Sequence, residues 1–539
     1  MTTSSFPLKA LLLKTEGWTG RGIGLLLGAL AVLGQAPFHF WPIFILSLGL
    51  LFARLQIAAQ VDRPGKRGFS VAIWWGVGYF AAGTFWVGSA FIERGPEFIP
   101  IMPFMIAGLA VLLAVFWGLA GAFFARAKVS ALWAIVVFTA IFTLAELTRG
   151  HIFGGFPWNL PAYIFEAGSR PSQIARWIGA YGLSALVLMI SAALGQALFS
   201  PKKTRPIVLA IIPILALYGI GHLRLSGAAL EYHPNINMRI VSIPFKQSEM
   251  MQPDSAVAVT NRFIEASASP GIKDITHLVW PEGAVTGFGK TAMDDPNLRN
   301  VMGTILSHED NTPPIWLMNS LELVRDEGRQ RVYNTSVAIS FDATGASTIS
   351  AVNRKRKLVA FGEHIPLMDW FEDVRFPLIS TNLASISPAK TKRLADFPGL
   401  PRLSPQLCYE IAFPGLTPKS ADGIPPEFIL NQSNDAWFGR SAGPAQHANI
   451  ARYRAIETGL PIIRAASNGI SGQIDPYGRL SNDTVVTKVL FQDLKLLKPL
   501  KFNNYIKIVN LFLLLISLLL CVITQVLKAR GVGPRVRLN

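Results

Sequence analysis

Residues 404–414 read SPQLCYEIAFP, and they hold one of only two cysteines in 539 residues. Leu403 to Leu407 has the alternation of a short strand, and Tyr409, Glu410 and Ile411 can open a helix. A lone cysteine at a strand-to-helix turn is a candidate nucleophile. It also fits a small buried hydrophobe. The other cysteine, Cys521, lies in a distant apolar run. Two such residues cannot build a disulfide scaffold, so Cys408 is expected to be a free thiol.

The surrounding chain is 51% hydrophobic and only 15% charged, against about 25% charged in soluble domains. Such a balance predicts a membrane protein. Apolar runs fall near 22–35, 40–56, 70–90, 101–125, 129–148, 177–199, 206–222 and 505–527. Most approach the ~20 residues that cross a bilayer, and the first is short. No small-residue cleavage site follows that first run, which predicts an uncleaved anchor.

Basic residues alternate with these runs. Lys9, Lys14 and Arg21 precede the first; Arg54, Arg63, Lys66 and Arg67 separate the second and third. Arg126 and Lys128, then Lys202, Lys203 and Arg205, occupy the next even loops, and Lys528, Arg530, Arg535 and Arg537 follow the last. The positive-inside rule puts these segments and both termini in the cytoplasm. The net charge of +17 is then topology and contact with anionic lipid, and a nucleic-acid partner is not called for.

Between the seventh and eighth runs the pattern changes to short apolar segments split by Gly, Pro, Asn and Asp. NMRIVSI, ITHLVW, PIWLMNS, TSVAIS, FILNQS and PIIRAAS read as strands, DSAVAVTNRFIEASAS and PAQHANIARYRAIET as helices. Mixed elements of this kind predict an α/β sandwich facing outward. In bacteria that side is oxidising, where an unpaired cysteine is a liability unless it is used. Glu282 follows one strand in THLVWPEGA. Lys355, Lys357 and Glu363 lie in AVNRKRKLVAFGEHIPL, and Glu410 follows the cysteine. A nucleophilic thiol needs a base and a cation or donor for the oxyanion. A glutamate, a lysine and a cysteine on three strand ends supply all of these. A Cys–His pair is the commoner arrangement, with His364 and His447 as its candidates.

The order Glu282, Lys355, Cys408 resembles the catalytic triad of the nitrilase superfamily. VWPEGA, RKRKLVAFGEHIPL, CYEIAFP, SNDAWFG, GPAQH and SNGISG, with GFPWNL at 155–160, resemble the signature blocks of its membrane branch, the apolipoprotein N-acyltransferase family. The resemblance covers nearly the whole chain. It implies a multi-pass α-helical membrane domain (1–229), an outward, nitrilase-like αββα sandwich (230–500), and a C-terminal membrane helix with a cytoplasmic tail (501–539). Carried over, Glu282 is the general base, Lys355 the oxyanion stabiliser with Lys357 as its near rival, and Cys408 the nucleophile. Glu363 is a second acid beside them, Tyr409 and Glu410 flank the nucleophile, and Asn334 and Asn434 support the site.

The implied reaction moves the sn-1 acyl chain of a phospholipid to the α-amine of a diacylglyceryl-cysteine apolipoprotein through a Cys408 thioester. It needs no metal or other cofactor, and no zinc-type Cys/His spacing is present. The implied location is the bacterial inner membrane and the implied form a monomer. Drawing an acyl chain of about sixteen carbons out of the bilayer would cost about 12 kcal/mol at ~0.8 kcal/mol per CH₂, so the reaction belongs at the interface. Trp437 and Phe438, and the segment 368–378, are read either as a headgroup-dipping lid or as core. Two other readings are a membrane-anchored amidase and a receptor or transporter with a binding domain. The latter predicts charges within the spans, and only Glu146 and Arg149 lie near one.

Several positions depart from the family's pattern. Gly283 stands where Ser or Thr is usual, Ala360 where Pro is usual, and Ile240-Val241-Ser242 where Gln-Gly-Asn is usual. Met250 and Met251 occupy a loop expected to carry a tryptophan. These changes bear on the substrate loop and acyl preference and leave the three implied catalytic residues in place.

Overall fold

The computed structural model describes residues 7–129, 131–200, 203–285, 295–307, 312–326, 329–359, 362–363, 386–390, 394–418, 422–481, 491–503 and 505–529. His364, Ala360, the segment 368–378 and the tail beyond 529 lie outside them.

A short helix α1 (Pro7–Leu12) leads into α2 (Gly17–Ala31), α3 (Trp41–Ala58), α4 (Pro64–Gly83), α5 (Ser89–Arg94), α6 (Met102–Ala127), α7 (Ala131–Arg149), α8 (Ala175–Gln196) and α9 (Thr204–Ser226). Proline early in α3, α4 and α6 starts each where its missing N–H costs nothing. Among the described residues seven helices are long and apolar enough to cross a membrane, and an eighth span arises if α4 and the segment 85–94 count together. The run expected near 70–90 is therefore not one straight helix. It bends by 55° after Gly83, where Thr84 leaves helical geometry and its hydroxyl bonds back to the Phe80 carbonyl at 2.7 Å. The run expected near 22–35 begins earlier, at Gly17.

In lipid, close backbone approach replaces the hydrophobic drive to pack. A Cβ at Gly68 of α4 would collide with the Gly121 carbonyl of α6, and one at Gly195 of α8 with the Gly49 carbonyl of α3. Trp75 and Trp117 stack 4.7 Å apart in the middle of this bundle.

The chain then forms two sheets. The first orders its strands β10-β1-β2-β3-β4-β5, with β1 (Tyr232–Val241), β2 (His277–Val279), β3 (Ile315–Asp326), β4 (Arg329–Phe341), β5 (Ser347–Arg354) and β10 (Phe491–Leu497). The second orders β6-β7-β8-β9, with β6 (Leu403–Leu407), β7 (Phe428–Asn434), β8 (Ile462–Ser467) and β9 (Gly472–Ile474). Pro405 is tolerated because β6 is an edge strand.

Period-two alternation assigns each strand's side chains. Met238, Ile240, Val279, Leu317 and Ala338 of the first sheet meet Leu403, Phe428, Leu430, Ile463 and Ala465 of the second in one core. The outer face of the first sheet packs on α11 (Pro253–Ser267) and α12 (Pro296–Leu306), which follow the one-turn helix α10 (Gln247–Met250). The outer face of the second packs on α13 (Gly443–Thr458) through Ala451 and Ala455. This is an αββα sandwich. The apolar helix α14 (Ile506–Ala529) then returns beside α7 and α8.

Helix α13 is nearly all buried because its other face lies on the membrane helices. Ile450, Tyr453 and Ile456 join the core of the bundle. The Tyr453 hydroxyl donates to the carbonyls of Ala162 and Phe165 at 2.8 and 2.9 Å, and the Asn449 carboxamide accepts from the Ala167 N–H at 2.9 Å. One continuous core thus runs from bundle to sandwich.

Candidate active site

Parallel pairing of β1, β2 and β3, and of β6, β7 and β8, sends six strand C-termini to one edge. Antiparallel β4 starts at that edge and β5 ends there. The edge faces the helical bundle, since the Tyr409 hydroxyl donates to the Gly155 carbonyl at 2.8 Å.

Glu282 sits just past β2 and is 9% exposed. Its Oε1 accepts from the Asn334 carboxamide at 2.6 Å, and its Oε2 from the Asn434 backbone N–H at 3.0 Å. Asn334, midway along β4, is itself fixed by Asn319 Nδ2, which donates to its Oδ1 at 2.6 Å. Lys355 directly follows β5 and is buried. Its Nζ lies 2.7 Å from Glu363 Oε1 and 3.7 Å from Glu282 Oε1. Lys357 points elsewhere, with its ammonium 4.7 Å from the Phe413 ring centroid.

Cys408 follows β6 with φ 45°, the left-handed region. Outside glycine this conformation costs about 1–3 kcal/mol and is held only by its surroundings. Glu410 supplies the hold. Its Oε2 accepts from Leu407 N–H at 2.9 Å, and its Oε1 accepts from the N–H groups of Arg356 and Lys357 at 3.0 and 3.1 Å. One carboxylate thereby ties the cysteine turn to the loop that carries Lys355.

Electrostatics divides the roles further. Burial pushes the Cys408 thiol well up, Glu282 adds to the rise, and Lys355 opposes it. Burial alone would lower the Lys355 ammonium, but Glu363 and Glu282 overcome that and hold it charged. The resting site pairs a neutral thiol with a carboxylate and a fixed cation, which suits proton transfer at the moment of attack.

Of the residues named from the sequence, Glu282, Lys355, Cys408, Glu363, Asn334, Asn434, Tyr409 and Glu410 converge here. Phe438 is half-buried. It packs into an aromatic cluster with Trp86 at 4.5 Å, Trp158 at 6.1 Å and His447 at 5.6 Å between ring centroids. Trp437 is half-buried beneath the Arg94 guanidinium. His447 is buried, and its Nδ1 lies 2.9 Å from Asp435 Oδ1. Burial keeps its imidazole neutral against the pull of Asp435.

Sequence reasoning named His447 only as a partner for the thiol, and it missed Asn319 and the buried Asp435 and Arg464 that hold His447, with Arg464 donating to Asp435 at 2.7 Å. Burial would raise the Asp435 carboxyl, but Arg464 and His447 hold it down to about 2. The available signal was an ionisable residue inside each of two apolar strands or strand ends, NQSND and IIRAAS. It also missed Gln446, whose Oε1 accepts from both Trp86 and Trp158 at 3.1 and 2.7 Å.

Residues 27–193 match the family model described as apolipoprotein N-acyltransferase N-terminal domain, and 256–483 match carbon-nitrogen hydrolase. A curated apolipoprotein N-acyltransferase of Caulobacter vibrioides is 34% identical over 475 residues, covering 86% of both chains. The chain belongs to the apolipoprotein N-acyltransferase family. Relatives of the same name from Rhodopseudomonas palustris and Pseudomonas aeruginosa are each 31% identical, over 86% of this chain and 87% of theirs. The chain is thus an acyltransferase of the membrane. Three of the positions set apart in the sequence make specific local contacts. Gly283 has φ +78°, and a Cβ there would press on the Asn434 carboxamide beside Glu282. Met250 fills the core under α11, and the Ser242 hydroxyl bonds the Ala466 carbonyl at 2.8 Å.

Proposed function

We propose that this chain N-acylates diacylglyceryl-cysteine apolipoproteins with the sn-1 acyl chain of a phospholipid, through a thioester on Cys408. The observation that carries the reading is a buried carboxylate and ammonium beside a half-buried thiol at a sandwich edge that faces membrane helices. Both substrates keep their acyl chains in lipid, and only their headgroup ends need reach that edge. A catalytic domain on the outward face of the bacterial inner membrane would meet both.

In the first half-reaction Glu282 takes the Cys408 proton and sulfur attacks the ester carbonyl. Lys355, with backbone N–H groups, holds the negative charge on the tetrahedral oxygen. The C–O bond breaks, and Glu282 returns the proton to the departing lysophospholipid oxygen. In the second half-reaction the lipoprotein α-amine attacks the thioester, Glu282 accepts the amine's proton, and the C–S bond breaks. The thiolate is then reprotonated and the amide is the third acyl chain. Splitting one hard transfer into two easier ones is the gain from a covalent intermediate. Glu363 keeps Lys355 aimed, and Asn334 and the Asn434 N–H fix the base. The aromatic wall of Trp86, Trp158 and Phe438 excludes water, which would otherwise hydrolyse the thioester.

The test is a reconstituted assay with a phospholipid labelled in its sn-1 chain and a diacylglyceryl peptide. Label appearing in an amide on the peptide, with ping-pong kinetics and no transfer by Cys408→Ala, is the expected result. Release of labelled fatty acid alone would contradict the acceptor. Ammonia release from small amides at a faster rate would favour an amidase.

A further inference from the structure

Away from the thiol, an open cavity of about 420 Å³ lies between the start of α8, the end of α9 and the turn after β9. Arg176 and Arg224 form its polar part, and Trp177, Ile220, Leu223 and Tyr477 its apolar walls. Trp177 and Leu223 are 43% and 73% exposed, on helices whose outward faces meet lipid.

The guanidiniums are tied only to neutral oxygens. Arg176 donates to the carbonyls of Glu457 and Lys501, and Arg224 to the Gln173 carboxamide and the Pro476 carbonyl. Among the described residues neither has a carboxylate partner. Asp475, the acid near Arg224, is engaged by Arg479 at 2.6 Å. Each guanidinium has five N–H donors, and these bonds occupy two of each. Arg224 also lies 4.8 Å from the Tyr477 ring centroid, which orients it at the cavity.

We propose that this cavity binds the phosphate of an anionic glycerophospholipid, with its acyl chains along the exposed faces of α8 and α9. The level fits, because α8 begins, α9 ends and α14 begins at the end of the bundle that carries the sandwich, and Trp177 and Tyr477 sit there as interfacial aromatics do. Paired guanidiniums favour a phosphate diester. The surplus positive charge, with no free carboxylate for an ammonium among the described residues of the cavity, selects an anionic headgroup over a zwitterionic one. Because Arg176 and Arg224 sit on membrane helices yet bond to the sandwich, the bound lipid braces the two parts. This lipid is not the acyl donor, and the proposal does not depend on the transfer chemistry.

The experiment is native mass spectrometry of the full-length chain titrated separately with phosphatidylglycerol, phosphatidylethanolamine and inorganic phosphate. Wild type should retain a phosphatidylglycerol adduct at least fivefold better than the ethanolamine lipid, and no phosphate adduct. Arg176→Gln with Arg224→Gln should lose it at least fivefold. Ile220→Trp, which fills the cavity and leaves the arginine bonds alone, should lose it as well while acyl transfer in phosphatidylethanolamine vesicles stays within twofold. Equal retention of both lipids, binding of free phosphate, or an adduct undiminished in Ile220→Trp would each overturn the proposal.

Discussion

The Cys408 thiol is half-buried, close to Glu282 and Lys355, and on a left-handed backbone. Its pKa is raised, so thiolate is scarce at neutral pH and grows only above the ordinary thiol value of about 8.5. Alkylation by iodoacetamide should therefore keep rising with pH beyond 9 without levelling off. A plateau below pH 8 would mean that Lys355 outweighs burial and Glu282. Gly283 is the second residue with a sharp demand. Its φ of +78° and the crowding against Asn434 predict that Gly283→Ala costs about 1–2 kcal/mol in stability. Acyl transfer should also fall, as Asn434 shifts from Glu282. Thermal melts and initial rates check both.

At the scale of elements, most of the pattern was legible. Period-two runs found β1 to β4, β6, β7 and β8, and helical periodicity found α11 and α13. Hydrophobic length found the membrane helices. The bend after Gly83 and the strands β5, β9 and β10 were not legible, because each depends on tertiary partners. The candidate site was legible as residue types on strand ends. The brace made by Glu410 was not, since its three partners come from two segments about fifty residues apart. Glu410→Gln keeps the size but loses the charge, and a hydrogen bond to a charged group is worth about 1.5–3 kcal/mol. We expect kcat to fall about 10–100-fold with KM little changed, as Lys355 and Cys408 drift apart. An unchanged kcat would show that the loop is held without it.

The whole molecule depends on a polar cluster inside the bundle. Glu146 and Arg149 pair at 2.6 Å with both side chains fully buried, and Trp117 donates to Glu146 at 2.6 Å. Arg149 also donates to the carbonyls of Phe156 and Trp158. Gly155 and Trp158 in that loop touch Tyr409 and His447 beside the thiol. From the sequence this pair read only as thin support for a transporter. Its three-residue spacing shows a salt bridge, but not the loop that folds back on it. Removing one partner of a buried pair costs about 3–5 kcal/mol. Glu146→Gln should lower the melting temperature and the transfer rate together, and an unaltered rate in a destabilised protein would uncouple bundle from site.

The central claim is that the Cys408 thiol carries an acyl chain between two lipids. The most direct measurement is the intact mass of the purified protein after incubation with phospholipid vesicles, wild type beside Cys408→Ala. An added acyl mass on the wild type alone, removed by hydroxylamine and by a diacylglyceryl peptide amine, is the predicted result. No adduct with any phospholipid would contradict the account and leave Cys408 a small side chain in a buried turn.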